Sequence, residues 1–384
     1  MTKIVFYCPD PELKTEEQLN LEGGSGTLLS LLNLAYELAT IGFCIEICGN
    51  CKFVLKDKLK SDQVKYTHIE SECDFLLMCK TNTSDFVIIV GHGFSIFNNK
   101  IRLGKQVVYW CHNWIDVKKL YRICREGYID KVIFVSKYHF LKSWKTIKFT
   151  PLALNYFNWI HNSIKQDYNN FLTIDNYPVL QKKLRIAFLS FPSINKGLPE
   201  VINIFHELQK QNINVELNIF GGVELYSSHS VGYGECQHLL FDGNGLCKEG
   251  IVLHGMLGKK KLFNIIDNMD LAISGMTGSE TFCYALVESL ARGILVVSSK
   301  KGGQIDYIKE NENGYLVTNY LDATKKIINH INKPKHIHIA MKENAKNTVN
   351  IFNSIHITNI WFNSVFKYPR NKLFNCINVT IKMF

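Results

Sequence analysis

From Lys3 onward, short runs of β-branched and aromatic residues alternate with longer stretches of helical periodicity, and this alternation passes through the chain twice. It specifies βαβ units, and hence parallel sheets with helices on both faces. In the first half, strands are predicted at Lys3 to Cys8, Phe43 to Cys48, Phe86 to Gly91, Gln106 to Trp110 and Lys131 to Val135. A helix is predicted over Gly26 to Leu38, where Leu28, Leu31, Leu32, Ala35 and Leu38 share one face. Between about Tyr156 and Leu180 the periodicity gives way to residues rich in Asn, Asp and Tyr, so a domain junction is expected there. A second start follows. Strands are predicted at Leu184 to Leu189, Val215 to Phe220, Ile251 to Leu253, Leu271 to Ser274 and Ile294 to Ser298, with a helix opened by Leu198-Pro199-Glu200. At 384 residues the chain exceeds what one hydrophobic core usually organises. The expected division is 1–172, 173–345 and a C-terminal helix and tail over 346–384, the helix reading from Ala340 to about Phe366.

Apolar residues make up 46% and charged residues 20%, which excludes a disordered or fibrous chain. No apolar run reaches the eighteen or so residues of a spanning helix, and Met1-Thr2-Lys3-Ile4-Val5 leads into a strand with no signal-peptide profile. A cytoplasmic location is expected. The twelve cysteines are scattered, several within apolar runs, and read as buried thiols. Cys48 and Cys51 have metal-like spacing, but no second Cys/His pair lies nearby, so they read as core and no metal site is predicted. The net charge of +10 fits an anionic substrate or an acidic membrane face. It fits a solvated basic surface equally well, and Lys56-Asp57-Lys58-Leu59-Lys60 and Lys259-Lys260-Lys261 read as ordinary helix surface.

The segment Ser279-Glu280-Thr281-Phe282-Cys283-Tyr284-Ala285-Leu286-Val287-Glu288 follows a strand and continues as a helix through Ala291. Two carboxylates eight residues apart therefore bracket a strand-to-helix turn. The backbone N–H groups of Thr281 to Ala285 are expected to be unpaired donors at a helix start, where the macrodipole favours an anion such as a diphosphate. Glu280 can accept from sugar hydroxyls and Glu288 from ribose hydroxyls. On these residues alone, Glu280 serves equally as a capping acid and Glu288 as a solvated surface charge.

With Asn195-Lys196-Gly197 upstream, His254-Gly255 after a strand, Gly302-Gly303, and Glu312-Asn313-Gly314-Tyr315-Leu316-Val317 downstream, this segment resembles the retaining glycosyltransferases of family four. That family carries a Glu-x7-Glu motif here. In the first half the resemblance rests on Gly23-Gly24-Ser25-Gly26 before a helix, the strand-end His112, and Val135-Ser136-Lys137.

The resemblance implies the GT-B architecture: two Rossmann-like domains face each other across a cleft, and a C-terminal helix returns to the first. It implies transfer from a nucleotide-diphosphate sugar with retention of configuration, no metal and no cofactor. Glu280 would hold the donor sugar's hydroxyls and Glu288 the ribose. Lys196 would neutralise the diphosphate. Gly24, followed by Ser25, would let a first-domain loop approach it. His112 would face the sugar from the opposite domain, and Leu257 would lie near the base. Thr281, Phe282, Cys283, Tyr284 and Ala285 would complete the donor site.

Three departures stand out. Phe191 occupies the place of an arginine usual five residues before the diphosphate lysine, with Lys182, Lys183 or Arg185 as substitutes. Thr281 and Cys283 occupy places where the family favours glycine.

The acceptor, whether glycan, lipid or protein, is not legible, and peripheral membrane contact fits the charge. A nicotinamide-dependent oxidoreductase would need Gly-x-Gly-x-x-Gly directly after the first strand, which the Gly23 cluster does not provide. Nucleic-acid binding is disfavoured, because basic and aromatic residues are not interleaved on one element. The remaining alternative is a nucleotide-sugar-binding protein of this fold with weak or no turnover.

Overall fold

In a computed structural model, residues 1–9, 13–14, 16–51, 64–165, 183–222, 234–278 and 280–367 are described. The first half contains β1 (Lys3–Tyr7), α1 (Glu16–Glu22), α2 (Gly26–Thr40), β2 (Cys44–Gly49), β3 (Val64–His68), α3 (Glu72–Thr81), β4 (Phe86–Val90), β5 (Gln106–Cys111), α4 (Val117–Arg125), β6 (Lys131–Phe134), α5 (Lys137–Thr146) and β7 (Phe157–Trp159). The second contains β8 (Leu184–Leu189), α6 (Leu198–Lys210), β9 (Val215–Phe220), α7 (Gln237–Leu240), β10 (Ile251–Gly255), α8 (Lys259–Ile266), β11 (Leu271–Ile273), α9 (Tyr284–Ala291), β12 (Leu295–Ser299), β13 (Gly314–Val317), α10 (Tyr320–Ile331), α11 (Lys335–Thr348) and α12 (Ser354–Trp361).

Seven strands form one sheet in the order β3-β2-β1-β4-β5-β6-β7 and six form another in the order β10-β9-β8-β11-β12-β13. Their registers are parallel throughout. A strand covered on both faces by helices is apolar along its whole length, and β4 is buried at every position. In each sheet the strand order reverses beside the first strand, which opens a crevice at the carboxyl ends of β1 and β4, and of β8 and β11. The two crevices face each other, and the chain has the GT-B fold.

The predicted strands agree with observed ones to within two residues at either end. β3, β7 and β13 are additional. The last helix differs from expectation: the single helix read from Ala340 to Phe366 is broken. α11 ends at Thr348, a 3-10 turn spans Val349–Phe352, and α12 restarts under the Asn353 side chain, which accepts from the N–H groups of Ile355 and His356. The break lets Asn353 pair with Ile164 of the first half. The C-terminal segment thereby returns to the first sheet: Ser354 Oγ donates to Glu37 Oε1 at 2.6 Å, and Lys131 Nζ to Ser364 O at 2.6 Å.

The proposed boundary between residues 172 and 173, the Lys56 to Lys60 run and the tail after 367 lie outside the described residues. Among those described, most cysteines are buried as expected, but Cys73 and Cys247 are exposed. No helix among the described residues is long and apolar enough to cross a membrane.

Candidate active site

Between the two sheets lies a cavity of ≈ 290 Å³. Its first-domain wall begins at the loop leading into α2. Ser25 caps that helix by accepting from Leu28 N at 3.2 Å, so its hydroxyl is committed to the fold. Gly26 touches α9 of the other domain: a Cβ there would fall 2.8 Å from Tyr284 Cβ. At Gly24 a Cβ would come 2.2 Å from Leu19 Cδ2, so Leu19 already fills the space beside that glycine. The amino ends of α2 and α9 therefore converge on one cavity.

The second-domain wall carries the Glu280–Glu288 segment. The helix begins at Tyr284, not at Thr281, so the expected row of donors shortens to the first turn of α9, with Cys283 as its cap. Cys283 takes a left-handed conformation, φ 64°. L-residues adopt it at a cost of order 1–3 kcal/mol, which explains why a glycine suits this place. Its thiol is buried, and burial pushes its pKa up to about 12. Thr281, at the other glycine position, works as a tether. Its hydroxyl donates to His112 O at 2.6 Å and its carbonyl accepts from Ser136 Oγ at 2.5 Å, both across the cleft. Phe282 is buried, and its carbonyl accepts from Tyr307 Oη at 2.9 Å. Ala285 and Leu257 line the cavity.

Each carboxylate has a lysine. Lys196 Nζ lies 2.7 Å from Glu280 Oε1. Glu288 is only 6% exposed and is paired with Lys259, itself 7% exposed. The reading of Glu288 as a solvated surface charge is thus overturned, and so is that of Lys259 as ordinary helix surface, since an unpaired charge is not tolerated at such depth. Lys260 and Lys261 are exposed. Lys183, one of the substitutes for the absent arginine, is paired instead with Glu216. Lys182 lies outside the described residues, and the backbone N–H of Arg185 donates to Asp270. Phe191 lines the cavity with Lys196.

His112 is buried against Trp110, with ring centroids 4.7 Å apart, and also lines the cavity. Burial, with His139 and His92 nearby, lowers its pKa to about 3, so it is neutral near pH 7. It can then exchange a hydrogen bond with a ligand without carrying charge.

The structure thus brings Gly24, Ser25, His112, Lys196, Leu257, Glu280, Thr281, Phe282, Cys283, Tyr284, Ala285 and Glu288 to one cavity. Lys259, Asn113, Asn162 and Asp306 escape sequence reasoning. Lys259 is hidden in a run of three lysines, although it follows Leu257 at a helix start. Asp306 accepts from Lys137 N at 2.6 Å and Tyr138 N at 3.2 Å, at the start of α5 in the opposite domain, and pairs with His161 Nε2 at 3.2 Å. Partners so distant in sequence leave no local signal.

Two parallel-sheet domains closing on a cavity with converging helix starts define the GT-B scaffold. Residues 174–348 match the family described as glycosyl transferases group 1. The chain is 27% identical over 141 residues to the lipopolysaccharide 1,2-N-acetylglucosaminetransferase of Salmonella typhimurium. That match covers 37% of this chain and 36% of the relative, little more than a third of the relative's length. Solved structures match over nearly the whole chain. Sucrose-phosphate synthase from Thermosynechococcus elongatus gives a TM-score of 0.75 at 14% identity, covering 94% of this chain and 98% of that one. HepE from Anabaena, in complex with UDP and glucose, gives 0.72 at 15% identity, covering 96% and 100%. A glycosyltransferase from Rickettsia africae gives 0.69 at 18% identity, covering 94% and 97%.

Proposed function

We propose that this chain transfers a sugar from a nucleotide-diphosphate sugar to an acceptor, with retention of configuration and without a divalent metal. The observation that carries this reading is the meeting of two helix amino ends, α2 and α9, with Lys196 and Lys259 at one cavity. Each helix start turns backbone N–H groups and the positive end of a dipole towards the cavity, which suits a diphosphate. The HepE complexes with UDP and with UDP-glucose support a UDP-sugar as donor, and the named activity of the Salmonella relative supports sugar transfer.

In this reading Lys196 and the first turn of α9 hold the diphosphate. Glu280 accepts from the hydroxyls of the transferred sugar, and Glu288, oriented by Lys259, accepts from the ribose. As the anomeric carbon parts from the phosphate oxygen, the acceptor oxygen bonds to the same face, and the acceptor's proton passes to the departing oxygen. The protein contributes orientation and stabilisation of the leaving charge. Lys196 and the helix dipoles supply the positive potential a metal would otherwise give. A glycan, lipid or protein acceptor is consistent with the cleft, and a cytoplasmic setting beside a membrane face fits a net charge of +10.

The test is release of nucleoside diphosphate from a panel of nucleotide sugars, measured with chelator present and compared with Glu280→Gln. That change keeps the shape and removes the charge that grips the sugar. Turnover in chelator that Glu280→Gln abolishes supports the reading. A wild-type rate in Glu280→Gln, or activity that returns only with added metal, overturns it.

A further inference from the structure

We infer that Asp306 is a positioning residue for Glu280, making the seating of that glutamate depend on contact between the two domains; this rests on the nucleotide-sugar reading above. Asp306 ends a 3-10 turn, Gly303–Asp306, in the second domain. Its side chain is 8% exposed, yet every hydrogen bond it makes among the described residues goes to the first domain. Oδ2 accepts from Lys137 N at 2.6 Å and Oδ1 from Tyr138 N at 3.2 Å, at the amino end of α5, where the helix dipole favours a carboxylate. His161 Nε2 lies 3.2 Å from Oδ2. A buried carboxylate is costly unless it is hydrogen-bonded, so this placement is favourable only while α5 and His161 are in reach.

The same turn holds the glutamate segment by its main chain. Gly303 N donates to Glu280 O at 2.9 Å. A Cβ on Gly303 would fall 2.0 Å from Thr281 O, so no side chain fits between the turn and the segment. Tyr307, directly after Asp306, donates from Oη to the carbonyls of Phe282 at 2.9 Å and Cys283 at 3.1 Å. Gln304, buried within the turn, donates to Ser299 O at 3.2 Å and Gly275 O at 3.3 Å. One short turn is therefore bonded to Glu280 on one side and to the opposite domain on the other. When the domains part, Asp306 loses all its partners at once, and the main chain that holds Glu280 loses its support.

The experiment compares wild type, Asp306→Ala and Asp306→Asn in two readouts. The first is release of nucleoside diphosphate to water, resolved into kcat and KM. Its substrate is whichever of UDP-glucose, UDP-N-acetylglucosamine or ADP-glucose the wild type hydrolyses fastest. The second is amide hydrogen exchange at Gly303, whose N–H Asp306 does not touch. Asp306→Ala is expected to lower kcat about tenfold or more, as misplacement of a group at the reacting centre does, with KM within about twofold of wild type. Exchange at Gly303 should quicken about tenfold, because a hydrogen bond that opens more often protects less.

Asp306→Asn keeps an oxygen for the α5 N–H groups and should lose less in both readouts. It also carries the test if melting curves show that the alanine variant does not fold. Unchanged kcat overturns the inference, as does unchanged exchange at Gly303, and so does a loss confined to the melting midpoint. If the wild type hydrolyses none of the three sugars, the donor reading fails on its own, and exchange at Gly303 still decides whether Asp306 holds the Glu280 turn.

Discussion

The hydroxyl of Thr281 donates to the carbonyl oxygen of His112 at 2.6 Å, joining the turn that carries Glu280 to the strand end of the other domain. A glycine here would keep the carbonyl that Ser136 bonds but lose this second link. Thr281→Gly is therefore expected to lower stability by about 1–2 kcal/mol, from one lost hydrogen bond and the added freedom of the unfolded chain. Thr281→Ser retains the donor and should recover most of it. Denaturant unfolding of both variants checks this; equal losses in the two would assign the effect to the methyl group instead.

Lys196 meets Glu280 in a cleft where Phe191 offers no second cation. If a diphosphate binds there, Lys196 carries most of its neutralisation. Lys196→Ala should lower transfer at least tenfold, about 1.4 kcal/mol of transition-state stabilisation. Phe191→Arg in that background should restore part of it. Nucleotide affinity and transfer rate in the two single variants and the double variant decide the matter, and unchanged values in Lys196→Ala would remove the diphosphate from this place.

The Lys259–Glu288 pair is buried on both sides. Removing one partner of such a pair leaves an uncompensated charge and typically costs about 3–5 kcal/mol, whereas replacing both is far milder. Lys259→Met should therefore destabilise the protein strongly, and Lys259→Met with Glu288→Leu should recover most of the loss while abolishing nucleotide binding. A urea-unfolding double-mutant cycle measures both. Additive losses would show that the two side chains do not depend on each other.

Burial pushes His112, His139 and His330 down to about 3. An unfolded histidine titrates near 6.5, so below that pH the unfolded chain takes up protons that the folded protein refuses. Stability must then fall as pH drops from about 6.5 towards 3, by about 1.4 kcal/mol per pH unit for each histidine. Asp270, whose carboxyl burial raises, acts in the opposite sense. Unfolding midpoints between pH 7 and 5 should decline steeply, and His330→Gln should make the decline shallower. A flat profile would contradict the burial of these rings as neutral groups.

Periodicity made most of both sheets legible, because a strand buried on two faces is a continuous apolar run that needs no partner to be recognised. β3 escaped although Val64 and Tyr66 alternate with Lys65, since an edge strand half open to solvent carries a weaker signal. β7 escaped because Phe157-Asn158-Trp159 has three residues and adjoins an asparagine-rich run. The broken C-terminal helix has no proline or glycine between Val349 and Asn353; its one local signal is Asn353, which caps the restarted helix, and a single asparagine is too common to mark a break without the pairing of Asn353 with Ile164.

The site divides in the same way. Glu280, Glu288 and Lys196 belong to short motifs at fixed spacing and could be read directly. Asn162, Lys259 and Asp306 take their meaning from residues far along the chain, and only folding brings those residues together. The two lost glycines were legible as departures, but their opposite outcomes, a backbone in the left-handed region at Cys283 and a new tether at Thr281, depend on geometry.

The bridge between Ile164 and Asn353 has a mechanical consequence. Ile164 N donates to Phe352 O at 2.8 Å, so the outgoing and returning passages of the chain are laced together by backbone at one point. Elsewhere across the cleft, the fastenings at Asp306, Thr281 and Tyr284 each involve a side chain. Side-chain links can be undone one at a time while the backbone stitch holds. The cleft can therefore widen by giving up those side-chain links one by one while the two passages of the chain stay joined where Ile164 meets Phe352.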